Sequence, residues 1–486
     1  MQVLRPTQVT GRILALMDKH TGKSRFVGIN VMPEYLQTEG DGFIDRLIGR
    51  TGATAIGITP CVVEQADQAT GDREPPLKYA LLDRPLWGRR ELFIRVAPSF
   101  DFDPSLYEGV RYRPPEPTAL TARNGHLVAN FIDAAKSRGL EAHIRVQSAA
   151  PPGFRAAISN LDADDEPRLP NGDTLPNRLD QSGSLASPHV KAYICALLRD
   201  LCAHYPNADG FHLDWAEYPP YTLDSVFFDF CGHAEVAADR FGFDFDRMRA
   251  DAAAVRGKFL GGLENSELRM WLTPNGGRDA WRGLLTAHPG LADLFRFKAL
   301  LSEELLEACR DAVTDAAGPD MKVAPMAFPP PWTAVSGFDY GRAAKHCDSI
   351  LLKLIPSHWP MMLRAYGEAI HQANPRLSET LLVEVLNRIL DIGDAEADAT
   401  LESYSHPADG EAFAVGREAQ LRKIEQGQAQ AGKVPVFALV HSGGAVDDFR
   451  ERLALAYAAT GNKVWINRYG FLSDAKLDAI GEVTAP

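Results

Sequence analysis

Eight short apolar runs recur along the chain with helical stretches between them: Arg25–Val31, Ala53–Ile58, Leu140–Val146, Gly210–Asp214, Met321–Met326, Ser349–Ile355, Val434–Val440 and Lys463–Asn467. Most are apolar at successive positions rather than at every second one, so both faces of each strand need cover. A strand covered on both faces belongs to a parallel sheet whose crossover helices pack against it. The helical spacing fits: Gly42–Thr51, Thr118–Arg138 ending at Gly139, a helix opened by Ser187 as N-cap with Pro188 in its first turn, Asp447–Ala459 and Ser473–Ile480. Eight βα units are the number that closes a (β/α)8 barrel. A dinucleotide-binding sheet would need a glycine-rich turn after the first strand. That strand instead runs into Asn30, Met32 and Pro33.

The expected fold is therefore α/β, a (β/α)8 TIM barrel with long βα-loop insertions, forming a single domain over 1–486. Such a barrel takes about 250 residues. The surplus falls at about 64–117, 149–186, 222–318 and 391–432, the third largely helical and the others loop-like. The first three follow the second, third and fourth strands, which places them on the C-terminal face of the barrel. One segment reads two ways. Leu381–Leu390 has apolar residues at 381, 382, 385, 386, 389 and 390 with Ser378 as N-cap, which favours helix; as a strand it would bring Glu384 to the site.

Hydrophobic residues make up 45% of the chain, which excludes wholesale disorder. The 51 basic against 64 acidic residues leave −13, which speaks against nucleic acid as partner. No stretch approaches the roughly 20 apolar residues of a membrane span. Met1 to Lys23 lacks the apolar core of a secretory signal, and the six cysteines form no CxxC pair. A soluble cytoplasmic protein without membrane partners is expected. No HxH, HExxH or EF-hand spacing stands at a strand end, so neither metal nor cofactor is expected. Oligomeric state is not legible.

In a barrel of this kind the active site lies at the C-terminal strand ends. The first strand offers Asn30 and Glu34 there, the third Arg145 and Gln147, and the fourth His212, Asp214, Trp215, Glu217 and Tyr218. Trp332 follows the fifth strand; Lys353, His358 and Trp359 come from the sixth, His441 from the seventh, Arg468 and Tyr469 from the eighth. Asp214 follows the apolar Phe211 and Leu213, so its carboxylate sits beside a low-dielectric wall that can tune its pKa. Glu217 comes three residues later. The two could serve as nucleophile or base and acid; we expect Asp214 as nucleophile or base and Glu217 as acid, with the reverse open. Glu34 and Glu384 are the other candidates for the second carboxyl. Trp215, Tyr218, Tyr221, Trp332, Trp359 and Tyr469 could offer apolar faces to a sugar ring. Arg145, Lys353 and Arg468 could hold an acidic sugar or pair with Asp214. His212, on the strand itself, could reach substrate or be a satisfied core residue.

The stretch DGFHLDWAEYP, preceded by ASPHVKAYICALLRDLCAHYPNA, resembles the fourth-strand signature of the bacterial "glycoside hydrolase 10-like" TIM-barrel families. Gly210, His212, Leu213, Asp214, Tyr218 and Pro219 match that pattern without a gap. Trp215 replaces the usual tyrosine, and Glu217 stands where those families often carry arginine. The segment GNKVWINRYGFLSDAKLDAI is similar to their last strand and helix, so the resemblance spans residues 25–480. It implies a (β/α)8 fold and a functional carboxylate at Asp214, and carries no acid role for Glu217. A weaker resemblance is to chitinase-type family 18 hydrolases, whose fourth strand reads DGxDxDWEYP. His212 and the extra Ala216 depart from it, so the substrate-assisted mechanism is not carried over.

Three functions compete: a glycoside hydrolase acting on an oligosaccharide or glycan, a lyase or isomerase of a sugar acid with Lys353 as base or Schiff-base residue, and a carbohydrate-binding barrel without catalysis.

Overall fold

The computed structural model describes residues 24–485 apart from 41, 77–79, 155–159, 177, 394–398 and 408–410. The leaderless N-terminus read from Met1 to Lys23 lies outside the described residues. The eight barrel strands, numbered by themselves, are β1 (Phe26–Asn30), β2 (Ala55–Ile58), β3 (Glu141–Gln147), β4 (Gly210–Asp214), β5 (Lys322–Ala327), β6 (Ile350–Leu354), β7 (Val436–His441) and β8 (Lys463–Asn467). Each pairs in parallel with its sequence neighbours, and β1 pairs with β8, closing a (β/α)8 barrel. All eight lie within two residues of the predicted runs.

The pleat sorts the strand residues into two cores. Val27, Ile29, Ile56, Ile144, Leu213 and Ile466 point outward and join the helices in one extensive apolar cluster. Ala55, Ala324, Met326, Leu351, Leu439 and Trp465 point inward and form a second, smaller cluster closed by Phe26 and Phe437. Trp465 dominates this inner core, and its neighbours make way for it. Gly28 is its register partner on β1, and a Cβ there would stand 2.2 Å from the Trp465 ring. A Cβ at Gly57 would meet the Asn30 Oδ1 at 2.1 Å. Above Trp465 the interior turns polar, with His143, Arg145, His212, Asp214 and Lys353 replacing aliphatic side chains.

The helices begin where the sequence places them. Ser187 Oγ accepts from the N–H groups of His189 and Val190 at the head of helix Pro188–His204, and Thr118 caps Ala119–Asn124. The stretch expected as one helix over Thr118–Arg138 is two, Ala119–Asn124 and His126–Lys136. The ambiguous segment is helix Glu379–Leu390, capped by Ser378; Glu384 is exposed on it and leaves the candidate list. Residues 222–318 hold five α-helices, of which Pro289–Ala317 is the longest.

The insertion at 64–117 departs from expectation. Residues 61–98 hold a three-stranded antiparallel sheet, Cys61–Ala66 and Asp72–Glu74 each pairing with Leu92–Pro98. Its strands are short and interleaved with Arg, Glu and Pro, so only the buried Leu92 and Ile94 against the more open Phe93 and Arg95 betray a period of two. The 391–432 insertion ends in helix Arg417–Ala431. No helix among the described residues is long and apolar enough to cross a membrane.

Gly28→Ala is expected to lower the denaturation midpoint, costing about 1–3 kcal/mol because the new methyl overlaps Trp465. The double variant with Trp465→Leu should recover most of that loss, a coupling that a double-mutant cycle in urea would measure. Additive losses would refute the Gly28–Trp465 packing.

Candidate active site

Asp214 is the last residue of β4 and stands in register with Gln147 of β3 and Met326 of β5. Its alternation with His212 turns the carboxylate into the barrel mouth, where only 2% of the residue is exposed. Two cations hold it there. Lys353 of β6 places Nζ 2.8 Å from Oδ1, and Arg145 of β3 donates to Oδ2 at 2.5 Å. Burial alone would push this carboxyl up; Lys353 and then Arg145 outweigh it and hold it below the ordinary aspartate value. Asp214 is therefore a carboxylate across the physiological range.

Glu217 takes a different position from the one expected of an acid. It is fully buried and turns away from the mouth, toward the loop after β5. Its Oε1 accepts from the Phe328 N–H at 2.9 Å and its Oε2 from the Ser336 hydroxyl at 2.6 Å. Burial pushes its carboxyl up. Lys353 Nζ lies 3.6 Å from Oε1, so both carboxyls share one ammonium. The Tyr218 N–H donates to the Ser336 carbonyl at 2.9 Å, stitching the same two loops together.

Two more buried lysines brace that loop. Lys298 donates to the carbonyls of Val226 and Val335. Lys423 donates to those of Pro330 and Leu390, and lies 4.7 Å from the Trp332 ring and 5.0 Å from that of Trp359. Burial pushes both lysines down to about 7. Trp332 and Trp359, expected as sugar platforms, are each 1% exposed and pack around Lys423. Tyr218 is also internal, its hydroxyl donating to Asp229 at 3.0 Å. His212 lies below the mouth, 4.9 Å from the His143 ring and 4.4 Å from Trp465, with both ring nitrogens buried and without partners among the described residues. Burial drives its pKa well below the ordinary value and keeps it neutral. Glu217, Tyr218, His212, Trp332 and Trp359 thus stand outside the cleft lining.

That lining surrounds a cleft of about 770 Å³. Asp214, Arg145, Lys353, Trp215, Asn30 and Gln147 are brought together on it, as are Glu34, His441, Arg468 and Tyr469. Some of these spend their polar ends elsewhere. Glu34 Oε1 accepts from the Val63 N–H at 2.6 Å, Arg468 pairs with Glu74, and the Tyr469 hydroxyl donates to Glu39. Other lining residues bury a polar atom that lacks a partner. Asn30 Oδ1, Gln147 Oε1, Ser357 Oγ and His358 Nδ1 are buried and have no hydrogen-bond partner among the described residues. Each such atom costs on the order of 1–3 kcal/mol until something bonds to it. Trp215 adopts φ 59°, the left-handed region that a bulky residue rarely enters, in the turn directly after Asp214.

Tyr221, expected as an apolar face for a sugar ring, lines the cleft with its ring 5.3 Å from His358. Arg178 and Leu179 also reach it from the 149–186 loop, where no periodicity could have placed them.

No family model matches the sequence, and neither does any curated protein. Solved structures similar to it include a β-galactosidase from the psychrophilic Marinomonas ef1, at 10% identity and TM-score 0.49, covering 91% of this chain and 54% of that one. A β-galactosidase from the Antarctic haloarchaeon Halorubrum lacusprofundi aligns at 11% identity and TM-score 0.49, over 94% of this chain and 57% of its own. The catalytic domain of a β-amylase from Paenibacillus polymyxa aligns at 9% identity and TM-score 0.44, over 93% and 94%. The chain spans little more than half the length of the two β-galactosidases.

The buried His212 sets a pH dependence. The unfolded chain binds a proton at this residue below about pH 6.5, whereas the folded chain resists it until far lower. Stability from this group is therefore complete above that value and falls by about 1.4 kcal/mol per pH unit below it. Urea midpoints at pH 7 and pH 5 should differ less in His212→Leu than in the parent chain; equal differences would refute the neutral, buried histidine.

Proposed function

We propose that the chain hydrolyses a glycosidic bond in an oligosaccharide or glycan lying across the mouth of the barrel, with Asp214 as the carboxylate that meets the anomeric carbon. One observation carries this reading: an ionised carboxylate lines the cleft together with four residues that each bury a polar atom without a hydrogen-bond partner among the described residues. A carboxylate kept charged by cations behind it suits a nucleophile or a stabiliser of an oxocarbenium-like transition state. Sugar hydroxyls can donate to the carbonyl oxygens of Asn30 and Gln147, and bond Ser357 and His358 in either sense. Trp215 and Tyr221 add apolar faces.

Glu217 serves this chemistry at one remove. With both oxygens engaged by Phe328 and Ser336, it positions Lys353 and the loop after β5 rather than meeting the leaving group. Lys353 as a Schiff-base residue is the second reading, favoured by its place on the lining. Its Nζ is paired with Asp214 at 2.8 Å and Glu217 at 3.6 Å, an arrangement that supports a counter-ion behind the carboxylate rather than a nucleophile.

A panel of nitrophenyl glycosides and oligosaccharides supplies the test. Asp214→Asn should lower turnover at least ~1,000-fold, a barrier rise of about 4 kcal/mol, with the far-UV spectrum unchanged. Retained turnover would overturn the assignment. Glu217→Gln should keep at least about a tenth of the activity and the same basic limb of the pH profile, whereas a general acid would lose that limb. Borohydride with substrate should trap no adduct at Lys353.

A further inference from the structure

We propose that Asp165, His189 and His233 form a binding site for a divalent transition-metal ion of the zinc type, apart from the cleft. The three come from separate segments. Asp165 lies in the loop after β3, His189 in the first turn of helix Pro188–His204, and His233 in the first turn of helix Gly232–Phe241. One ligand atom from each lies within 4.8 Å of both others. Asp165 Oδ1 is 3.1 Å from His233 Nε2, close to the ~3.4 Å edge of a tetrahedron whose metal–ligand bonds are ~2.0–2.1 Å. Those two atoms do not meet in hydrogen-bond geometry, and His233 Nε2 is buried with no hydrogen-bond partner among the described residues. An imidazole nitrogen aimed at a carboxylate oxygen without bonding to it is what a shared ion would explain.

The carboxylate is oriented in advance. Asp165 is fully buried; its Oδ2 accepts from the Tyr112 hydroxyl at 2.6 Å and from Arg111 at 2.9 Å, and its Oδ1 from the Ser187 hydroxyl at 2.5 Å. Such outer partners are how ligating carboxylates are held. Arg111 opposes a cation, but it is partly solvent-exposed and also meets Asp162 at 3.5 Å, which screens it. Two imidazoles and one carboxylate select zinc or its neighbours over calcium or magnesium, which take oxygen ligands. The bound ion would clasp the loop after β3 to two helix starts, with Tyr112 tying in the chain that follows β2. It would thus fasten the walls of the mouth without entering it.

The test uses the full chain without an affinity tag, freed of metal by a chelator. Calorimetric titration with Zn²⁺ should show one equivalent bound with Kd of about 1 µM or tighter, and the melting temperature should rise with added zinc. Co²⁺ should give a visible d–d band. The variant His189→Gln/His233→Gln should weaken the affinity at least ~10-fold and lose the thermal gain, while melting as the parent does in chelator. If the double variant does not fold, His233→Gln alone gives the same reading. The absence of one-equivalent binding below about 100 µM would overturn the proposal. So would unchanged affinity in the variant.

Discussion

A carboxylate at the end of a buried strand is tolerable only if its charge is met, and around Asp214 the whole mouth of the barrel is arranged to meet it. Arg145 reaches it from β3, the strand beside β4, and Lys353 from β6, two strands away on the other side in the closed sheet. Lys353 is itself nearly buried and needs a second anion, which Glu217 supplies. Glu217, buried in turn, is satisfied by the loop after β5. The chain of obligations runs from one charge at the mouth outward to a loop behind the cleft lining. Removing Lys353 takes from Asp214 its one nearly buried counter-ion among the described residues and from Glu217 its shared cation, the costly case for buried pairs.

The interior below this cluster is graded. Phe26 and Phe437 close the base, Trp465 fills the middle, His143 and His212 lie against it, and the ions sit on top. The gradient follows from the β pleat: inward residues two apart on one strand occupy successive layers. On β4 the step from neutral His212 to charged Asp214 is the step from a dry layer to one that meets the cleft. The glycines at 28 and 57 belong to the same logic, since large inward side chains next door leave no room for a Cβ.

The barrel was legible because its strands are apolar on both faces, a pattern that a buried parallel sheet imposes and nothing else at that length demands. Asp214 was legible for the same reason, as a charge at the end of such a run. Its two counter-ions were on the page as strand-end cations, although pairing with Asp214 was only one of the two roles open to them. What sequence could not supply was direction beyond the strands. Glu217 and Trp332 sit in connecting turns and Trp359 in the first turn of helix His358–Ala373, where one residue's difference in backbone path exchanges cleft for core. The small sheet at 61–98 hid because short strands dense in Arg, Glu and Pro carry almost no period. The Asp165, His189 and His233 cluster hid because its members are brought together by two helix starts and a loop, with no local spacing to announce them.

The inner plug has a consequence for traffic. With Trp465 and its neighbours filling the barrel from wall to wall, the axis is a blind shaft with one opening. Under the proposed hydrolysis, substrate, attacking water and departing products would all pass the same doorway, beneath loops that the βα connections drape over it. A product that lingered there would bar the next arrival, so the aromatic plug that stabilises the barrel would also make such turnover depend on how readily the last occupant lets go.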